Sequence, residues 1–352
     1  MRILNRYIAR QVFVATLMVL ALVLGLDFIG KIIDQLDSLR ENYTFYEMLV
    51  YIVWGIPSSV YEFIPYAVLV GCLIGLGSLA GSSELVVIRA AGVSVLQITW
   101  IVLKPVMVFI ALALCLGEFV VPYAEQTADS RRSLALGYTN EDQARRGVWH
   151  REANEYIRFN VVQPDGKLFG VTRYQFDNGD LTSASFTREV EYRGDHWEET
   201  GVSITNFSGA SIATERMRKR RWDTELTPAL LNVVAMEPEV LSISSLRSYS
   251  RYLADQNLHA GEYALAFWQK LLQPLATISL VLIAISFIFG PLRSVSMGQK
   301  IFTGVAFGIG FRLLQSLLGP SSIVFGFPPL IAVAIPILVC LLVGWVLLKR
   351  AG

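Results

Sequence analysis

The sequence predicts an α-helical membrane protein: six transmembrane helices, with an antiparallel β domain inserted between the third and the fourth. Three observations predict it. Apolar residues make up 53% of the 352 residues and charged residues only 17%, and the mean hydropathy is +0.48, outside the habit of soluble domains. Apolar runs long enough to cross a bilayer, roughly 20 residues each, recur near both ends of the chain. Between them the composition turns polar, and turn signals separate segments of alternating polarity.

Taken in order, Arg2, Arg6 and Arg10 precede a first span from roughly Gln11 to Ile33. No small-residue cleavage site follows that run, so it reads as a retained span rather than a leader. It carries Asp27 and Lys31, four residues apart on one helix face. The two charges either answer each other inside the membrane or sit at the headgroup boundary. The apolar region from about Met48 to Ala80 is too long for one straight span. Gly55-Ile56-Pro57 and Pro65 are expected to break it into an interfacial elbow helix and a second span from about Ser58 to Leu79. The third span is expected from about Val95 to Val121, with Pro105 inside it.

The polar middle contains Pro164-Asp165-Gly166, Asp177-Asn178-Gly179-Asp180 and Arg193-Gly194-Asp195 as turns. Strand patterns such as Tyr156–Val161 and Gly201–Phe207 lie between them. Helical stalks flank this β domain, the return one starting near Leu241. Three spans close the chain: about Tyr263–Ile288, Ile301–Leu318 and Ile323–Leu348. The division is thus 1–122 for the first three helices, 123–262 for the β domain with its stalks, and 263–352 for the last three.

With six spans, the N-terminal arginines, Arg89, Arg293, Lys300, Lys349 and Arg350 fall on one side. The excess of basic residues makes that side cytoplasmic, which leaves both termini inside and the β domain outside.

The chain lacks a GxxxxGK[ST] phosphate loop, a Gly-x-Ser-x-Gly elbow and a His-Glu-x-x-His pair. His150, His196 and His259 are scattered without metal-ligand spacing and read as surface residues. Cys72, Cys115 and Cys340 lie far apart in apolar runs and read as buried small hydrophobes. The chain is therefore expected to be non-catalytic and to need no cofactor or metal of its own. A net charge of +1 argues against nucleic acid as a partner. The basic run Arg216, Arg218, Lys219, Arg220, Arg221 reads as a solvated strand with charges on both faces, with a phosphate site as the alternative.

Two stretches carry positive expectations. Gly81 to Gly92 contains a capping serine, Ser82 or Ser83, and a glycine stop, with room for roughly two and a half helical turns, about 13 Å. Glu84 sits in its first turn, Arg89 nearer its last, and Leu85, Ile88 and Ala91 make one face. Such a peg between two spans is either a handle for another protein or an ordinary interfacial helix. The second stretch is cationic. Lys31 ends the first span and Arg131 and Arg132 follow the third, so these residues could ring the outer mouth of an apolar cavity and hold an anionic amphiphile.

Ser83-Glu84-Leu85-Val86-Val87-Ile88-Arg89-Ala90-Ala91-Gly92 resembles the coupling helix of the LptF/LptG permeases. Gly117-Glu118-Phe119-Val120-Val121-Pro122 and Leu241-Ser242-Ile243-Ser244 resemble further segments of that family, and Ser286–Gly298 is similar to one of its two branches. The resemblance covers the whole chain. It implies six spans with a periplasmic β-jellyroll, in a Gram-negative inner membrane. It implies a heterodimer with an LptF-like permease on a dimer of an LptB-like ATPase, with an LptC-like single-span protein alongside. ATP would be bound and hydrolysed by the ATPase, and lipopolysaccharide would be the cargo. By the same resemblance, Glu84, Leu85, Ile88 and Arg89 would engage the ATPase. Lys31, Arg40, Arg131 and Arg132 would bind lipopolysaccharide. Asp37, Ser38 and Asp129 stand where relatives have basic residues. A permease that only transmits motion, and a scaffold that only docks partners, are the other readings.

Overall fold

A computed structural model describes residues 2–40, 42–136, 148–152, 154–177, 179–208, 211–224, 226–255, 260–290 and 295–351. Asn178, His259 and Pro291–Ser294, with Arg293, lie outside the described residues. Six helices among those described are long and apolar enough to cross a membrane. The chain divides into two compact units, one made of Met1–Gly30, Ile56–Val121 and Leu241–Gly352, the other of Lys31–Gly55 and Pro122–Val240.

The elements begin with α1 (Arg2–Leu36), α2 (Phe45–Trp54), α3 (Ile56–Gly81), α4 (Glu84–Ala90) and α5 (Val95–Cys115). Thr44 caps α2, its hydroxyl accepting from the Glu47 amide, and the elbow ends at Gly55 as expected. Pro65 does not break the chain; it lies inside α3. A π turn, Leu116–Val120, joins α5 to α6 (Val121–Leu136) in one rod of 42 residues. At 1.5 Å per residue that is about 63 Å, twice a bilayer core, so the polar α6 continues past the apolar part of the rod. Cys115, expected to be buried, is exposed next to that turn.

The later spans are α9 (Gly261–Phe289), α10 (Met297–Phe325) and α11 (Pro329–Ala351). Ser296 and Gln299 form a capping box at the start of α10. The sequence places the last turn near Gly319-Pro320, yet α10 runs through Pro320 and stops at Gly326, whose φ of 72° is left-handed. A helix tolerates an internal proline when its neighbours hold the surrounding turns, whereas a left-handed glycine followed by Pro328 ends it.

The core of the spanning unit is a continuous apolar cluster with Leu69, Leu73 and Leu76 of α3 and Leu280 and Ala284 of α9 near its middle. Gly71 and Gly75, one turn apart, let α1 and α3 approach closely. A Cβ on Gly71 would stand 2.4 Å from Thr16 Oγ1, and one on Gly75 would stand 2.9 Å from Val12 Cα. Small residues at this spacing are how helices pack where lipid is as apolar as the side chains.

The second unit holds seven strands: β1 (Val148–Glu152), β2 (Glu155–Phe159), β3 (Val161–Val162), β4 (Leu168–Asp177), β5 (Asp180–Tyr192), β6 (Trp197–Ser208) and β7 (Ser211–Trp222). Every pair is antiparallel, in the order β1-β2-β4-β5-β6-β7, and β3 pairs with β4. The three turns read from the sequence are the connections between strands, and Gly166, Gly179 and Gly194 all have positive φ. One sheet face packs Ile157, Phe159, Val171, Trp197 and Trp222 against Leu226 and against Leu231 of α7 (Pro228–Val234). The Trp197 indole donates to the Leu226 carbonyl at 2.8 Å. Two residues of the basic run on β7 are answered by carboxylates of β6: Lys219 bonds Glu198 and Arg220 bonds the fully buried Glu199. The return segment is α8 (Ile243–Asp255).

Candidate functional site

In the spanning unit, Ser83 introduces α4 with a left-handed backbone (φ 62°) and its side chain does not cap the helix. The hydroxyl next door, Ser82, instead donates to Glu84 at 2.9 Å. Tyr7 of α1 lies beside the Glu84 carboxylate. The helix is seven residues long, about 10 Å, shorter than the sequence implied because the chain turns at Ala91 and Gly92. Leu85 and Ile88 face inward and belong to the apolar core. Val86 and Val87, 49% and 67% exposed, form the outward face instead. The sequence reading chose Leu85 and Ile88 because helical spacing picks out a stripe without saying which stripe the rest of the chain covers. Arg89 stacks on Phe289 of α9, its guanidinium carbon 5.8 Å from the ring centroid. α4 is therefore held against α3 and α9, with Tyr7 of α1 beside it.

In the other unit, the elbow α2 seats two of the predicted cations. Lys31 Nζ lies 3.7 Å from where a Cβ on Gly55 would stand, at the C-terminal end of α2, where helix carbonyls favour a positive charge. Arg132 lies over the Tyr51 ring, 5.2 Å from its centroid, and its Nε donates to Gln35 Oε1 at 3.1 Å. Tyr51 and Gly55 are one turn apart, so Lys31 and Arg132 meet neighbouring turns of the same helix. Arg40 and Arg131 are exposed and are not part of that seat. Asp27, on the spanning unit's part of α1, accepts from Ser59 Oγ at 2.6 Å.

Arg132 also lines a polar cavity of about 690 Å³ with Tyr51, Glu125, Asp129 and Glu237. Asp129 lies on α6, beyond the apolar part of its rod. Surrounding protein and the charges of Glu125 and Glu237 push its carboxyl up to about 6, against the pull of Arg132. The arginine thus shares its cavity with carboxylates.

Six membrane-length helices, an inserted antiparallel sheet and a short helix held in the turn after the second span define a multi-pass membrane permease. The sequence matches the family described as the lipopolysaccharide export system permeases LptF/LptG over residues 6–350, and the chain belongs to that family. It is 34% identical over 355 residues to the lipopolysaccharide export system permease protein LptG of Escherichia coli K12, covering 99% of each chain. It is 32% identical over 351 residues to LptG of Haemophilus influenzae, covering 99% of this chain and 98% of the relative.

Proposed function

We propose that this chain is a permease subunit that moves lipopolysaccharide out of the inner membrane, with the basic side of the spans cytoplasmic and the β domain periplasmic. ATP is hydrolysed by a separate cytoplasmic ATPase dimer, which grips α4 through the exposed Val86–Val87 face. Glu84 and Arg89 border that face, and Arg89, stacked on Phe289, passes its movement to α9. A second, LptF-like permease completes the pathway, and an LptC-like single-span protein receives the lipid beyond it. The division into 1–122, 123–262 and 263–352 describes the order in which the chain builds the two halves of the pathway around the β domain.

The observation that carries the reading at residue level is the seat on α2. Lys31 and Arg132, from different helices, both lie against α2, one beside Gly55 and the other over Tyr51, where one phosphorylated headgroup could meet both. Charge-assisted bonds to phosphate are strong and directional, while acyl chains supply most of the affinity, at about 0.8 kcal/mol per buried CH₂. The cations then set the register of the lipid.

A photo-crosslinking residue at position 31 tests this. Lipopolysaccharide adducts from position 31 are expected, and Lys31→Asp or Arg132→Asp should lower occupancy several-fold while basal ATP hydrolysis persists. Adducts from the apolar faces of the first and fifth spans with none from position 31 would remove the two cations from the pathway and leave the transport reading standing.

A further inference from the structure

Two of the segments that resemble the family, Gly117–Pro122 and Leu241–Ser244, have no part in either site above. In the structure they meet. The chain passes from the spanning unit to the β-bearing unit at Val121/Pro122 and returns at Val240/Leu241. These crossings are 119 residues apart in sequence, yet within the spanning unit their flanks are tied to each other. The Glu118 carboxylate accepts from the backbone amide of Ile243 at 2.8 Å and from the Ser244 hydroxyl at 2.6 Å, with a longer 3.4 Å contact to the Ser244 amide. It is an N-cap for α8 supplied by a different helix, at the end where amides lack partners and a negative charge is favoured.

The π turn puts Glu118 in that position. A π turn inserts one extra residue, which rotates the side chains beyond it relative to those before it. Its Gly117 packs so tightly on Tyr61 of α3 that a Cβ there would stand 2.6 Å from the ring. A second tie lies alongside. Lys270 of α9, only 4% exposed, donates to the Leu241 carbonyl at 2.6 Å and lies 5.1 Å from the Tyr61 ring centroid. Gln273, one turn on, donates to the Tyr61 carbonyl at 3.3 Å. Acid and base thus fix the two sides of one return segment, and Tyr61 lies against the supports of both.

We propose that Glu118 and Lys270 form a clasp that keeps the outgoing and returning crossings together throughout the transport cycle, so that movement of the spans reaches both stalks of the β domain at once. Glu118 is a positioning residue: it acts through the start of α8. This inference rests on the export reading only for its consequence. The clasp itself has a readout that is independent of transport.

The test uses the intact export complex. In Glu118→Ala, the amides of Ile243 and Ser244 should exchange with deuterium at least tenfold faster than in the natural protein. Lipopolysaccharide release should fall tenfold or more, while basal ATP hydrolysis stays within twofold. Glu118→Gln keeps an acceptor and should retain most of both properties. Glu118→Cys with Ser244→Cys, in a Cys115→Ser background, should lose export as free thiols and regain it when a short reversible thiol cross-linker joins them. That rescue separates a lost tie from a misfolded chain. Unchanged exchange at Ile243 and Ser244 in Glu118→Ala would remove the cap. Export that is present with free thiols, lost in the cross-linked pair and regained when the linker is cleaved would show that the clasp must open, and would overturn the proposal. Clasp loss seen by exchange with export intact would overturn the mechanical role while leaving the export reading untouched.

Discussion

Glu84 and Val87 are three residues apart on one short helix, and the structure assigns them different work. Glu84 accepts a hydrogen bond from Ser82, whereas Val87 is 67% exposed. Val87→Asp should therefore leave the melting of the chain nearly unchanged, within about 0.5 kcal/mol, as surface substitutions do. It should also cut co-purification of the ATPase about tenfold. Leu85→Asp buries an unpaired charge in the core and should destabilise the chain itself. A thermal melt beside a pull-down separates the two outcomes. Asp129 offers a pH test at the same scale. Its carboxyl is raised to about 6, so it is neutral below that pH and ionised above. Loss of its negative charge leaves Arg132 less compensated, and binding of a phosphorylated lipid should strengthen as pH falls through about 6. Asp129→Asn should remove that part of the dependence, since the lipid's own phosphates titrate alike in both proteins. Equal pH profiles for the two proteins would separate Asp129 from the lipid site.

At the scale of elements, contacts between helices decide which substitutions the fold survives. The approach of α1 to α3 depends on the missing side chains of Gly71 and Gly75. Gly71→Leu must force Thr16 and its backbone away, and overpacking of this kind costs about 1–3 kcal/mol or more. The midpoint of a denaturation series in detergent should fall accordingly. Gly25→Leu, on α1 at a position with open space around it, should not shift it. The β sheet is held differently. Glu199, fully buried on β6, is bonded by Arg220, Arg173 and the Thr187 hydroxyl. Glu199→Ala leaves Arg220 without its carboxylate, while Arg173 keeps Glu155, and belongs among the costly changes, at roughly 3–5 kcal/mol.

At the scale of the whole molecule the question is which side of the membrane each end faces. The basic residues of the N-terminus, α4 and the C-terminus imply that they share the cytoplasmic side. Asp180→Cys, at the tip of the β4–β5 hairpin, should react with a membrane-impermeant thiol reagent added to the periplasm. Gly298→Cys, in the first turn of α10 with no atom near its added Cβ, should react only after the membrane is opened. Both belong in a Cys115→Ser background, because Cys115 is exposed. Labelling in the reverse order would invert the arrangement argued above.

The sequence by itself determined the number of spans, the elbow ending at Gly55, the alternation that makes strands and the glycine turns between them. These follow from hydropathy, period and backbone freedom, which are local properties of neighbouring residues. It also singled out Lys31, Arg132 and the peg at Glu84, because charges beside apolar runs are conspicuous. Only the tertiary structure decided that Leu85 and Ile88 point inward, that α10 continues through Pro320, and that Cys115 is exposed beside a π turn. It alone joined Glu118 to Ile243 across 125 residues. Which face of a helix is covered, and which distant group completes a cap, are set by what packs against it, and packing partners far apart in the chain leave no local pattern to read.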